Sequence, residues 1–266
     1  MNSKEGDKQN KFLISDIDGT LLKGNNPIPP NVVLAANDFM ARGNRLSFCT
    51  GRSLDATRGV YEMLQVNTPS VLFGGALLYD FSKDEILFHQ YLDSSITQVI
   101  ENILKEDEEI SVSVSTVYHT YTLRSNEVFS TRALLADRNG KKISDIPTEP
   151  LLKVLLTSHD PLKLQRVKEK YISQDLFHAE LASRRFFEIV SSQVSKGKTI
   201  QKLLSLVENS NEMKILGAGD SITDLSMIDY VDTFYAPENA LSEVLQKAHS
   251  IIPSVHDGGM IEVFNQ

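Results

Sequence analysis

One recurrence narrows what this chain can fold into more than any other. Short apolar runs close on loops of Asp, Gly and Thr at both ends of the sequence: KFLIS before DIDGT (16–20), LSF before CTGR (49–52) and MKIL before GAGDSITD (217–224). A fourth loop, SKGK (195–198), opens a helical pattern that carries Ile200, Leu203, Leu204 and Val207 on one face. Between the first two runs, PIPPNVVLAANDFMARG spaces Val32, Ala36, Phe39 and Met40 near the helical period, with prolines at its start and Gly43 just past its end. Strands alternating with helices of this length predict an α/β fold built on a mostly parallel sheet. Sheets of that kind bind ligands beyond the carboxyl ends of their strands, where these loops lie.

The middle of the chain carries a second set of elements. EILFHQYL, a helix around Ile96, Ile100 and Ile103, the alternating ISVSVSTVYHTYTL, PLLKVLLTS, a helix through Leu164, Val167 and Tyr171, and LFHAELASRR fill residues 81–185. About a hundred residues suffice for an independent unit. The expected organisation is a core of residues 1–80 and 186–266 with an α+β cap, 81–185, inserted in it. SVLFGGALLYD is expected as a third core strand and FFEIV (186–190) as a member of the same sheet.

Composition removes several classes of function. The 266 residues hold 27 basic against 35 acidic side chains, a net charge of −8, with no Lys/Arg run to grip a phosphate backbone, so nucleic acid is not an expected partner. Cys49 is the sole cysteine, which excludes an internal disulfide framework and fits a reducing compartment. Residues 1–10 lack the apolar centre of a signal peptide, and nothing later approaches the run of about 20 apolar residues that a membrane helix needs. The expected location is the cytoplasm. The six histidines show no metal-ligand spacing.

The chemistry begins in DIDGT. Alternation along a strand would place Asp16 and Asp18 on one face, about 7 Å apart. Like charges so close repel unless a cation or a shared proton relieves them. An EF-hand does not explain the pair, because Leu21 and Pro27 stand where that loop needs glycine and glutamate. Together the four loops supply what phosphoryl transfer from a monoester requires. Asp16 or Asp18 can attack phosphorus while the other acts as acid and base; Asp220 and Asp224 can complete an oxygen site for Mg²⁺; Thr50 and a lysine near 196 can hold phosphoryl oxygens.

In combination, DIDGTLL, TGR, SKGK and GDSITD resemble the four motifs of the haloacid dehalogenase superfamily, and specifically its Cof-like phosphatases, whose large cap sits between the second and third motifs. The similarity extends over GGALLYD, FFEIV and HDGGMIEVF. The resemblance implies a Rossmann-like core, Mg²⁺ and an aspartyl-phosphate intermediate. It implies Asp16 as nucleophile and metal ligand, and Asp18 as general acid/base with its backbone carbonyl on the metal. Thr50 and the N–H groups of Gly51 and Ile17 would cradle the phosphoryl group, Lys196 would neutralise it, Asp220 would ligate Mg²⁺, and Asp224 would support that ligand. Two positions depart from the pattern: Thr223 replaces an asparagine that reaches the phosphate, and Gly74-Gly75 replaces Asn-Gly.

Other readings remain open at this point. A phosphomutase on the same scaffold would pass the phosphoryl group to sugar, and a phospho-aspartate receiver would use a similar acidic pocket. SSQVSKGKT ends like a P-loop but has Ser192 where that motif needs glycine. The expected partner is a small phosphorylated metabolite, a sugar phosphate by default, and the oligomeric state is not legible. His119, Arg124, His178, Arg184 and Arg185 are the polar cap residues that could meet a leaving group, although each alone reads as a surface residue.

Overall fold

The structure, a computed structural model, describes residues 9–24, 26–125, 141–142, 145–183 and 185–266. Arg184 and the first eight residues lie outside this range. The core sheet has five parallel strands, β1 (Lys11–Ser15), β2 (Arg45–Phe48), β12 (Lys214–Ala218), β13 (Thr233–Pro237) and β14 (Ser250–Ile252), in the order β14-β13-β12-β1-β2. The apolar first strand is central, between β12 and β2, and Phe12, Leu13 and Ile14 are fully buried, as expected for a parallel strand covered on both faces. Helix α1 (Pro30–Ala41) starts at Pro30, buries Val32, Ala36 and Phe39, and is followed by Gly43 at φ 86°. Helix α2 (Leu54–Met63) is capped by Ser53, whose hydroxyl accepts from the Ala56 amide.

SVLFGGALLYD is two strands, not one. β3 (Ser70–Leu72) and β4 (Leu77–Asp80) pair antiparallel around Phe73–Gly75, where Gly74 and Gly75 adopt φ 66° and 110°. A Cβ at Gly75 would strike the Ser195 carbonyl, so this reversal packs directly on the SKGK loop. β5 (Glu85–His89), expected in the cap, pairs with β4 and extends this hairpin. A bridge between Cys49 and Val71 joins the three strands to β2.

A six-stranded sheet is built from β6 (Ser111–Ser115), β7 (Thr120–Arg124), β8 (Lys141–Lys142), β9 (Lys153–Thr157), β10 (Phe177–Ser183) and β11 (Phe186–Ser191), in the order β10-β11-β9-β6-β7-β8. ISVSVSTVYHTYTL is thus a hairpin. FFEIV is β11, and the expectation that it joins the core sheet is corrected: it pairs antiparallel with β10 and β9. One face of this sheet, including Val112, Val154, Leu156, Phe187 and Ile189, packs on Ile96, Ile100 and Ile103 of α3 (Ile96–Glu106) and on Leu164 and Val167 of α4 (Pro161–Tyr171). On this pairing we propose that the cap runs from about Tyr91 to Ser192 rather than from 81 to 185.

Among the described residues no helix is long and apolar enough to cross a membrane.

Candidate active site

The four loops meet at the carboxyl edge of the core sheet. Asp16 follows the last residue of β1 and is buried, its amide donating to the Ala218 carbonyl at the end of β12. The Ile17 carbonyl accepts from the amides of Thr20, Leu21 and Leu22 and closes the turn. Gly19 sits at φ 82°, and a Cβ there would overlap the Asp220 carboxylate. Glycine at this position therefore lets the first and last motifs touch.

SKGK opens helix α5 (Lys196–Leu206), with the Ser195 hydroxyl accepting from the Lys198 amide as N-cap. That cap sends the two lysines in opposite directions. Lys196 Nζ is buried 2.7 Å from Asp16 Oδ1 and 2.5 Å from Asp224 Oδ1. Lys198 is exposed and donates to the Ser192 carbonyl. The Gly197 amide is bonded to Ser226 Oγ. The lysine and amide that a P-loop would turn toward a phosphate are therefore engaged elsewhere.

GAGDSITD leaves β12 and enters a 3-10 helix, Ile222–Tyr230, where the expected α-helix would have begun. Asp224 closes a capping box with Ser221: its Oδ2 accepts from the amides of Asp220 and Ser221 and from Ser221 Oγ. With Oδ1 on Lys196, both oxygens of Asp224 are engaged, which suits a support better than a ligand. Asp16, Asp220 and Asp224 offer carboxylate oxygens within 4.8 Å of one another.

Three carboxylates against one ammonium leave the site short of positive charge. Burial drives Asp16 up to about 7 despite the opposing pull of Lys196, with Asp224 and Asp18 adding to the rise. Burial, then Asp16 and Asp224, drive Asp220 up to about 8. Lys196 is held protonated well above its ordinary range because those carboxylates outweigh its own burial. An all-oxygen donor set whose ionisation is suppressed by burial and then by mutual repulsion fits a hard divalent cation, which would favour the ionised form.

Asp18 does not share this cluster. β1 ends at Ser15, so strand alternation no longer governs residues 16–18, and the Asp18 carboxylate turns to Arg52. Nε and Nη2 of Arg52 each lie 2.7 Å from one of its oxygens. The TGR motif by itself assigns Arg52 no role. Thr50 is buried beside β1; its hydroxyl accepts from the Arg52 amide and its own amide donates to the Val71 carbonyl. The Gly51 carbonyl accepts from Lys153 Nζ at 2.8 Å, and the same ammonium lies 2.5 Å from Glu188 Oε1. Lys153 on β9 and Glu188 on β11 were not singled out in the sequence. A buried lysine in the otherwise apolar PLLKVLLTS was the available signal, since such a charge needs a partner.

A cleft of about 320 Å³, its open mouth included, lies between the two sheets and is lined by Lys196, Thr223, Ser226 and Gly74 from the core and by His178, Glu180 and Glu188 from the cap. Thr223 hydrogen-bonds Ser221 through its hydroxyl at 2.9 Å. Of the other cap candidates, Arg124 binds the carbonyls of Ile103, Leu104, Asp107 and Ile110 and so closes the end of α3, His119 packs on Tyr121, and Arg185 is exposed.

Comparison with known proteins agrees with this arrangement. The sequence profile of the haloacid dehalogenase-like hydrolases matches residues 13–264. The chain is 23% identical to 5-amino-6-(5-phospho-D-ribitylamino)uracil phosphatase YitU of Bacillus subtilis (strain 168) over 94% of both chains. It superposes on a haloacid dehalogenase-like hydrolase from B. subtilis with a TM-score of 0.83 at 19% identity, covering 96% of this chain and 99% of that one. It superposes on the HAD subclass IIB sugar phosphatase BT4131 with a TM-score of 0.81 at 14% identity, covering 96% and 98%. The chain belongs to the haloacid dehalogenase-like hydrolase family, among its Cof-like phosphatases.

Proposed function

We propose that this protein is a Mg²⁺-dependent phosphomonoester hydrolase of the cytoplasm that acts on a small phosphorylated metabolite, a sugar phosphate foremost, through an aspartyl phosphate on Asp16. The observation that carries this reading is the buried Asp16–Lys196–Asp224 chain beside Asp220 at the carboxyl edge of a parallel sheet. Asp16 and Asp220, with the Asp18 backbone carbonyl, would hold the cation, and Asp224 would fix Asp220 and Lys196. When bound, Mg²⁺ supplies positive charge to the phosphoryl oxygens.

In this reading the Asp16 carboxylate attacks phosphorus, the P–O bond to the alcohol breaks, and Asp18 gives the departing oxygen its proton. Asp18 then takes a proton from the water that releases phosphate from Asp16. Lys196, Thr50 and the amides of Ile17 and Gly51 would meet the phosphoryl oxygens, and Thr223 would face them from the cleft. The name of YitU and the sugar phosphatase description of BT4131 support a small organic leaving group.

The test is hydrolysis of 4-nitrophenyl phosphate with and without Mg²⁺. Mg²⁺-dependent turnover, lost in Asp16→Asn and in excess chelator, is the expected result. Turnover that persists in either condition would sink the mechanism.

A further inference from the structure

The cap strands that roof the cleft alternate strictly. In β10 and β11, Phe177, Ala179, Phe187 and Ile189 are buried in the cap interior, while His178, Glu180, Glu188 and Val190 line the cleft above Lys196. Their register places His178 opposite Val190 and Glu180 opposite Glu188. Two glutamates thus stand as direct cross-strand neighbours on the face toward the core, an arrangement that costs the sheet stability unless something cationic or proton-donating lies against it.

Among the described residues, three neighbouring cations are already engaged. Lys153 holds Glu188 and the Gly51 carbonyl, Lys196 lies between Asp16 and Asp224, and Arg52 is bound to both oxygens of Asp18. Among the described residues Glu180 has the His178 imidazole at 3.5 Å, and its side chain is 30% exposed, on the cleft side. A leaving group entering above Lys196 therefore meets, on the cap side, the carboxylate oxygens of Glu180 and Glu188 beside the His178 imidazole, and carboxylates accept hydrogen bonds without donating them.

We propose, on the reading of this site as a phosphatase, that Glu180 and Glu188 form an acceptor wall that selects the leaving group by charge. Monophosphates whose alcohol is neutral or cationic and carries O–H or N–H donors are taken; those with a second anionic group are disfavoured, because neither glutamate can pair with it and Lys196, the lysine that lines the cleft among the described residues, is held between Asp16 and Asp224. Lys153 sets the geometry of this wall by tying Glu188 to the phosphate-side loop.

The experiment uses the Mg²⁺-loaded protein and a shape-matched series of phenyl phosphates with para hydroxymethyl, aminomethyl or carboxylate groups, and 4-nitrophenyl phosphate as the reference for activity. The hydroxymethyl and aminomethyl esters should exceed the carboxylate ester in kcat/KM by at least about tenfold. Glu180→Gln should narrow that gap at least about threefold, and Glu188→Gln should do so as well. An equal or faster carboxylate ester, or a gap unchanged in both variants while 4-nitrophenyl phosphate is hydrolysed, overturns the acceptor wall and leaves the phosphatase reading standing. Absence of hydrolysis of every ester overturns both.

Discussion

Arg52 holds both oxygens of Asp18, each at 2.7 Å, in a fork that fixes the expected acid beside the Asp16–Asp220–Asp224 cluster rather than within it. Such a bidentate pair is rigid, and the third contact of the guanidinium, to the Ala56 carbonyl, anchors it to helix α2. Arg52 therefore acts on the reaction through Asp18. In Arg52→Ala, hydrolysis of an alkyl phosphate should fall at least about tenfold more than that of 4-nitrophenyl phosphate, whose leaving group needs little protonation, a difference of about 1.4 kcal/mol. Equal losses on the two esters would show that Arg52 does not position the acid.

Lys196 and Lys198 give a sharper contrast. A buried ammonium beside the phosphoryl position is worth about 3 kcal/mol or more, and an exposed one almost nothing. Lys196→Ala should lower kcat/KM at least about a hundredfold and Lys198→Ala less than about threefold. The opposite order, with nucleoside triphosphate hydrolysis surviving Asp16→Asn, would return the function to the Gly-Lys-Thr loop.

Metal and pH should be coupled in stability. Asp16 and Asp220 rise from an ordinary value of 3.8 to about 7 and about 8, so between about pH 4 and 8 the metal-free folded chain binds more protons at these groups than the unfolded chain does. Stability from these two groups therefore falls as pH rises through that window. Lys196 stays charged across it and does not reverse the sign. A divalent cation replaces those protons, so the rise in Tm on adding Mg²⁺ should be larger at pH 8 than at pH 6, and Asp220→Asn should lose most of the difference. Thermal melts giving the same Mg²⁺ shift at both pH values would contradict this account.

Lys153, paired with Glu188 inside the cap sheet, reaches across to the core through the Gly51 carbonyl. Lys153→Met leaves the Glu188 carboxylate and the Gly51 carbonyl without their donor in a mostly buried place, and should cost about 2 kcal/mol by denaturant titration. Lys153→Met with Glu188→Leu should recover more than half of that. A double variant as unstable as the sum of the two single changes would mean that the pair is not coupled.

The parts of this site that were legible in the sequence are those whose chemistry is local. Each acidic or Gly-Thr loop follows its own apolar strand, and Ser195 announces a helix start that separates Lys196 from Lys198. What could not be read is partnership. FFEIV has the same apolar pattern whether it joins a parallel or an antiparallel sheet, and its true neighbours, β9 and β10, are named by register rather than by composition. The Gly74-Gly75 pair signalled a close approach, yet its left-handed dihedrals produce a chain reversal against Ser195. Asp18 was placed by strand alternation, which fails because the strand stops one residue before Asp16. The pairing of Lys153 with Gly51 links positions a hundred residues apart, beyond any spacing rule.

The central place of β1 also dictates an order of assembly. Lys11 pairs with Lys214, so one edge of the first strand waits for a partner made about 200 residues later. At synthesis rates of about 5–20 residues per second that interval is on the order of ten to forty seconds. The strands from Ser111 to Ser191 that form the cap sheet are translated within it and close among themselves. We expect the cap to be ordered on the ribosome before the catalytic edge exists, with the two halves of the core brought together around a finished insert; pulsed hydrogen exchange showing β1 protected before β9 to β11 would refute that order. Asp16 would then spend the wait as an ordinary solvated carboxylate, acquiring its unusual electrostatics only in the final stage of folding.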